Sequence, residues 1–147
     1  MALVIAVCKS KKKGTRKEPV VEGILKEDYG LIDDAHADCL THRQVSLLAI
    51  ESINKMQNLG FKLNPGDFAE NITTEGIELI SLPIGTNLSI GNEVVLEMTQ
   101  IGKECHAACA IRKQVGKCIM PEEGIFTRVI KGGVIKPKDR VEIKESE

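Results

Sequence analysis

Short apolar runs with a two-residue alternation, cut at intervals by Gly, Pro, Asn and Asp, recur along this sequence. That pattern constrains the fold more than any other feature, because strands need a period of two and helices one of 3.6. Ala2-Leu-Val-Ile-Ala-Val-Cys8 reads as a buried strand, and Pro19-Val-Val-Glu-Gly-Ile-Leu25 as a second short β-like run. Gly30 to Asp38 turns polar and loop-like after its first residues. Only residues 45–59 carry a helical period: Val45, Leu48, Ala49, Ser52, Ile53, Met56 and Leu59 share one face, and Gly60 is a natural stop. Thr41 with Gln44 offers a capping box. Arg43 to Leu48 fits a strand equally well, and a strand followed by a helix from near Ala49 is the preferred reading.

The remainder is β-like. Phe68 to Leu82 alternates unevenly across Gly76, while Leu88–Ile90, Gly91-Asn92 and Val94–Met98 read as strand, tight turn, strand. Ile125 to Ile130 is another strand, and Val134-Ile135, a Lys-Pro-Lys-Asp turn, Val141 and Ile143 follow. The likeness between Leu88–Leu96 and Val134–Ile143 is recurring barrel-edge geometry, since solenoid repeats need more copies. Many short strands with one helix predict a mainly β fold, a closed or nearly closed β-barrel with a few short helices. One domain over residues 1–147 is expected, a length that can bury a core.

Composition narrows the functions. Aromatic residues are 3% of the chain, too few for base stacking, and a net charge of -1 gives no whole-protein attraction to nucleic acid or a membrane surface. No window reaches the roughly 18 apolar residues of a membrane span. The basic cluster Lys9, Lys11, Lys12, Lys13, Arg16, Lys17 follows the first apolar run, where a secretory signal would precede it, and reads as a solvated loop. Five cysteines, at 8, 39, 105, 109 and 118, are an odd number without a signal, which points to a reducing cytoplasm rather than a disulfide framework.

Reactive side chains are densest over residues 103–118, with Lys103, Cys105, His106, Cys109 and Cys118. Cations beside a thiol stabilise its thiolate, and Lys103 and His106 flank Cys105, at what should be the end of a strand finishing at Ile101-Gly102. Three readings stay open on spacing alone: a reactive thiol, small apolar core residues, or a zinc site of the form Cys-His-x-x-Cys-x8-Cys. A second cluster, Asp33-Asp34-Ala-His36-Ala-Asp38 running into His42-Arg43, can form an anion site with Arg43 as clamp, a divalent-metal site, or a solvated loop. Asn71, Thr73 and Thr74 can hydrogen-bond a polar ligand or merely make a turn. Arg128, alone in the strand Gly124 to Ile130, needs an anionic partner or an exposed head, the partner being either a buried carboxylate or a ligand phosphate.

Taken in order, Asp34-Ala-His36, His42-Arg-Gln-Val-Ser-Leu-Leu48, Pro65 to Gly76 with its Glu-Asn-Ile-Thr-Thr block, Thr99-Gln-Ile-Gly-Lys-Glu-Cys105-His106, Gly124 to Ile130 and Gly132 to Asp139 resemble a MOSC domain, named for the C-terminal region of molybdenum cofactor sulfurases. The resemblance is to the small stand-alone bacterial form and covers nearly the whole chain. It implies a β-barrel that acts on or with the molybdenum cofactor (molybdopterin), and matches Cys105 to the family's characteristic cysteine, a persulfide carrier or a molybdenum ligand. It further implies that Arg43, Lys103 and Arg128 neutralise the pterin phosphate or oxo groups. His36, His42, His106 and Asn71 would then supply hydrogen bonds. Some relatives reduce N-hydroxylated compounds, but Gly-Lys-Glu precedes Cys105 where that subtype has an Arg and a Pro nearby. A sulfur carrier of this kind takes its sulfur from a partner such as a cysteine desulfurase and serves a molybdoenzyme. The alternatives are the reductase and a non-enzymatic, zinc-stabilised binding barrel.

Overall fold

The structure, a computed structural model, describes residues 2–11, 17–35, 37–58, 64–66, 68, 70–102 and 124–144. They form strands β1 (Ala2–Lys9), β2 (Glu18–Val20), β3 (Gly23–Lys26), β4 (Gly30–Leu31) and β5 (Val45–Ala49), helix α1 (Ile50–Gln57), and β6 (Ile72–Glu75). After a 3-10 turn at Leu79–Ser81 come β7 (Asn87–Ile90), β8 (Val94–Ile101), β9 (Ile125–Lys131), β10 (Gly133–Ile135) and β11 (Arg140–Lys144).

Seven strands close a barrel in the order β11-β7-β8-β9-β5-β6-β1, because β1 also pairs with β11. β1 can serve several neighbours because its register shifts between Val4 and Ala6. Its first residues pair with β11 (Ala2 to Val141, Leu3 to Arg140), and its last three pair with β2. A bulge bends a strand, and this bend lets one strand seal a small barrel. β10, β3 and β4 form a separate three-stranded sheet against β8 and β9. The two look-alike segments therefore part company: Leu88–Leu96 is the β7–β8 hairpin, while β10 and β11 lie in different sheets.

The barrel interior holds Val4, Val7, Val45, Leu47, Ile72, Leu88, Ile90, Leu96, Met98, Ile125, Val129 and Val141. Strand β5 is buried at all five positions, between β6 and β9. A strand covered on both faces reads as a continuous apolar run, which is why Val45–Leu48 also satisfied a helical face. The strand-then-helix reading is what the structure shows, with α1 starting at Ile50. Thr41 and Gln44 do not cap it. The Thr41 hydroxyl accepts the Arg43 N–H (3.1 Å), and the Gln44 amide bridges Asp28 and the Val129 N–H at 3.0 Å each. β5, α1 and β6 make a parallel crossover, with α1 packed on both strands. The run 19–25 is broken at Val21-Glu22 into β2 and β3. Gly60 lies outside the described residues. Among the described residues no helix is long and apolar enough to cross a membrane.

Candidate functional site

Strand β8 carries the candidate site at its C-terminal end. Its pairing with β9 slips between Met98 and Gln100, so Thr99 is an extra residue and Gln100 comes opposite Phe126. Directly paired residues share a face of the sheet, so the Gln100 side chain and the Phe126 ring lie together. At the end of the strand, the Gly102 N–H donates to the Gly124 carbonyl (2.6 Å), which pins the end of β8 to the start of β9. Gly102 has φ +67°, the left-handed conformation that glycine adopts without strain.

Two residues before β5 lock onto this strand end. Gln100 Oε1 lies 2.9 Å from His42 Nε2 and accepts the Arg43 Nε–H at 2.9 Å. The other half of the Gln100 amide donates to the Gly102 carbonyl at 2.7 Å. The Thr99 hydroxyl donates to the His42 carbonyl at 2.6 Å, fixing the backbone beneath the same pair. The Arg43 guanidinium lies 5.7 Å from the Phe126 ring centre, at cation–π distance. His42 and Arg43 are both exposed, and the Arg43 η nitrogens have no partner among the described residues. An arginine anchored through Nε, with both η nitrogens open, is a ready oxyanion clamp.

A second polar assembly is buried. Lys17 Nζ and Asp34 Oδ1 meet at 2.7 Å with both side chains fully enclosed, and Ser10 supplies a backbone N–H to the same oxygen at 3.0 Å. Burial alone would raise the Asp34 carboxyl, but the hydrogen bond and charge of Lys17, with Ser10, hold it below the usual range. Burial in turn pulls the Lys17 ammonium below its ordinary value, against the pull of Asp34. Lys17 therefore leaves the basic cluster read as a solvated loop: it is an internal ion pair. Its backbone N–H donates to Gly66, where a Cβ would come 2.1 Å from the Lys17 carbonyl at φ +92°.

Asn71 is wholly enclosed. Its Oδ1 accepts from the Ser46 N–H (3.0 Å) and hydroxyl (3.2 Å), and its Nδ2 donates to the Cys8 carbonyl (3.2 Å). Beside it Glu70 is fully buried, with Oε2 accepting the Thr73 hydroxyl (2.8 Å) and Oε1 left without a hydrogen bond. Burial pushes the Glu70 carboxyl up to about 7, against the backbone N–H of Gly66 and the Thr73 hydroxyl.

Of the residues singled out in the sequence, His42 and Arg43 are brought together at the end of β8. The Asn71 amide faces the interior and clamps β1 to β5. Arg128 sits on the outer face 3.8 Å from Glu97, its register partner on β8; that carboxylate is half-exposed rather than buried. His36, Lys103, Cys105, His106, Cys109 and Cys118 lie outside the described residues, and with them the zinc alternative. Among the described residues, no group of three or more His, Cys, Asp or Glu side chains could hold a metal ion. A groove of about 340 Å³ lies between α1 and residues 76–80, and neither His42, Arg43 nor Gln100 lines it. Sequence reasoning missed Gln100, Lys17 and Glu70. Gln100 alone carried a signal, a polar residue breaking the apolar alternation two residues before a glycine.

Comparison with known proteins agrees with the resemblance. The profile of the MOSC domain matches residues 33–142 of the 147. No curated protein matches the sequence. YuaD of Bacillus subtilis superposes with a TM-score of 0.77 over 100% of this chain and 98% of that one, at 16% identity. YiiM of Geobacillus stearothermophilus gives 0.75 over 99% and 76% at 18% identity. YiiM of Escherichia coli gives 0.71 over 100% and 71% at 16% identity. At these identities the likeness is one of fold.

Proposed function

The chain belongs to the MOSC domain family, which is linked to molybdenum cofactor sulfurase-like proteins, and from that premise we propose that it binds the molybdenum cofactor and works through the Cys105 thiol. The observation that carries this reading is the half-engaged Arg43. Its Nε is spent on Gln100, its η nitrogens have no partner among the described residues, and Gln100 is tied to Gly102. Three peptide units separate Gly102 from Cys105, so chain geometry keeps the two Cα atoms within about 11 Å. A thiol and an anion clamp are thus tethered to one strand end.

These residues fit the cofactor's chemistry. A planar guanidinium with two open nitrogens suits a phosphate or an oxo group, and a thiolate suits molybdenum as a soft ligand. When bound, the cofactor supplies a redox-active metal and an anionic pterin. Arg43 and His42 would hold and orient it. Lys103 and His106 would favour the Cys105 thiolate by their charge and hydrogen bonding, and His36 would add a hydrogen bond. Cys105 would either ligate the metal or carry sulfur handed over by a cysteine desulfurase to a molybdoenzyme. Asn71 and Arg128 have protein partners and carry less of this role.

Anaerobic reconstitution with molybdenum cofactor tests the proposal. The wild type should load, Cys105→Ser should abolish loading, and Arg43→Ala should weaken it roughly tenfold or more, a charge-assisted hydrogen bond contributing about 1.5–3 kcal/mol. Unchanged loading in Cys105→Ser overturns the role of the thiol. A persulfide adduct on Cys105, read by mass spectrometry, separates sulfur carriage from metal ligation.

A further inference from the structure

The hydrogen bonds around Gln100 determine more than its position. Arg43 Nε–H can only donate, and the Gly102 carbonyl can only accept. Of the two orientations of the Gln100 amide, only one puts oxygen on Arg43 and nitrogen on Gly102. The flipped amide would set donor against donor and acceptor against acceptor and lose both bonds. The oxygen that faces His42 Nε2 at 2.9 Å is therefore an acceptor, and Nε2 must carry the hydrogen. In the neutral ring the other nitrogen, Nδ1, is then bare.

We propose that Gln100 is a positioning residue that fuses His42 and Arg43 into one unit, with His42 fixed as the Nε2–H tautomer, Nδ1 open as an acceptor and the Arg43 η nitrogens open as donors. The role follows from three linked features. The bulge at Thr99 brings Gln100 opposite Phe126, on whose ring Arg43 lies. A single oxygen with two lone pairs serves both side chains, so a shift of that one atom releases both. The amide nitrogen fastens the unit to Gly102, which itself is fastened to Gly124. Gln100 needs no contact with a ligand for this. It sets which nitrogen of His42 can accept a proton or a hydrogen bond beside the anion clamp. This inference deepens the proposed cofactor site and rests on that reading for its purpose, though not for its chemistry.

Nitrogen-15 spectra of the full chain, without cofactor, read both halves of the unit. In the wild type the neutral His42 ring should be essentially all Nε2–H, and the Arg43 Nε–H should exchange slowly with water. Gln100→Leu, which keeps the bulk and removes the acceptor, should leave a tautomer mixture and speed Arg43 Nε–H exchange about tenfold. Gln100→Glu still presents an oxygen to both donors, although its second oxygen gives up the bond to the Gly102 carbonyl; it should bring the Nε2–H form and the slow exchange back toward wild type, a rescue that a purely packing role would not give. A wild-type His42 bearing its hydrogen on Nδ1, or Gln100→Leu spectra indistinguishable from wild type, overturns the proposal. Because both signals are read without cofactor, failure of the wild type to load cofactor counts against the function alone.

Discussion

At the scale of single residues, Glu70 is the most telling group in the interior. A carboxyl with one oxygen unpaired and no exposure is held neutral by desolvation, up to about 7 from an ordinary 4.5. Between those two values the folded protein keeps a proton that the unfolded chain has already released. Stability from this residue is therefore greatest below about pH 4.5, falls as pH rises through about 7, and is level above. The full change is on the order of 3 kcal/mol at about 1.4 kcal/mol per pH unit. Glu70→Gln keeps the shape and removes the titration. Its urea midpoint should lose this slope between pH 5 and 7.5, and an unchanged slope would mean another group is responsible. None of this was legible in the Glu-Asn-Ile-Thr-Thr block, whose residue types allow Asn71 either a ligand or a turn; its amide clamps β1 to β5.

Elements show where a one-dimensional pattern runs out. Val45 to Ala49 satisfied helix and strand alike, and burial between β6 and β9 is what made it a strand. Burial likewise claimed Lys17, on the segment just before β2, for the turn that carries Asp34. An enclosed pair of this kind is costly to break from one side, since the survivor is left charged and unpaired. Lys17→Met should cost roughly 3–5 kcal/mol in urea unfolding, and Lys17→Met with Asp34→Leu should recover most of it. A double variant as unstable as the single one would show that these side chains pack irreplaceably rather than pair. Asp34 works against Glu70 in pH dependence: its depressed carboxyl contributes stability above the unfolded value that is lost as pH falls through the folded one.

For the whole molecule, the barrel is held unevenly. β8 and β9 pair along most of their lengths, whereas the β1–β11 seam has two register pairs, reinforced by Val4 N–H to Asp139 (2.8 Å) and Lys138 N–H to the Val4 carbonyl (2.7 Å). Local opening follows the weakest ladder. Native-state hydrogen exchange should find the Val4 amide opening at lower free energy than the Leu96 amide in β8, and equal protection at both would mean that the barrel opens only as a whole. The sequence by itself determined the mainly β class and where most of the strands lie, because alternation and turn residues are local properties of the chain, but not the break of 19–25 into β2 and β3 nor the short β4. It also picked out His42 and Arg43, whose types announce anion chemistry. Only the tertiary structure decided what they do together. A bulge at Thr99 turns Gln100 onto residues nearly sixty positions earlier, and packing between distant segments buries Lys17 and Glu70. Register and burial are set by contacts between distant segments, and no local pattern encodes them.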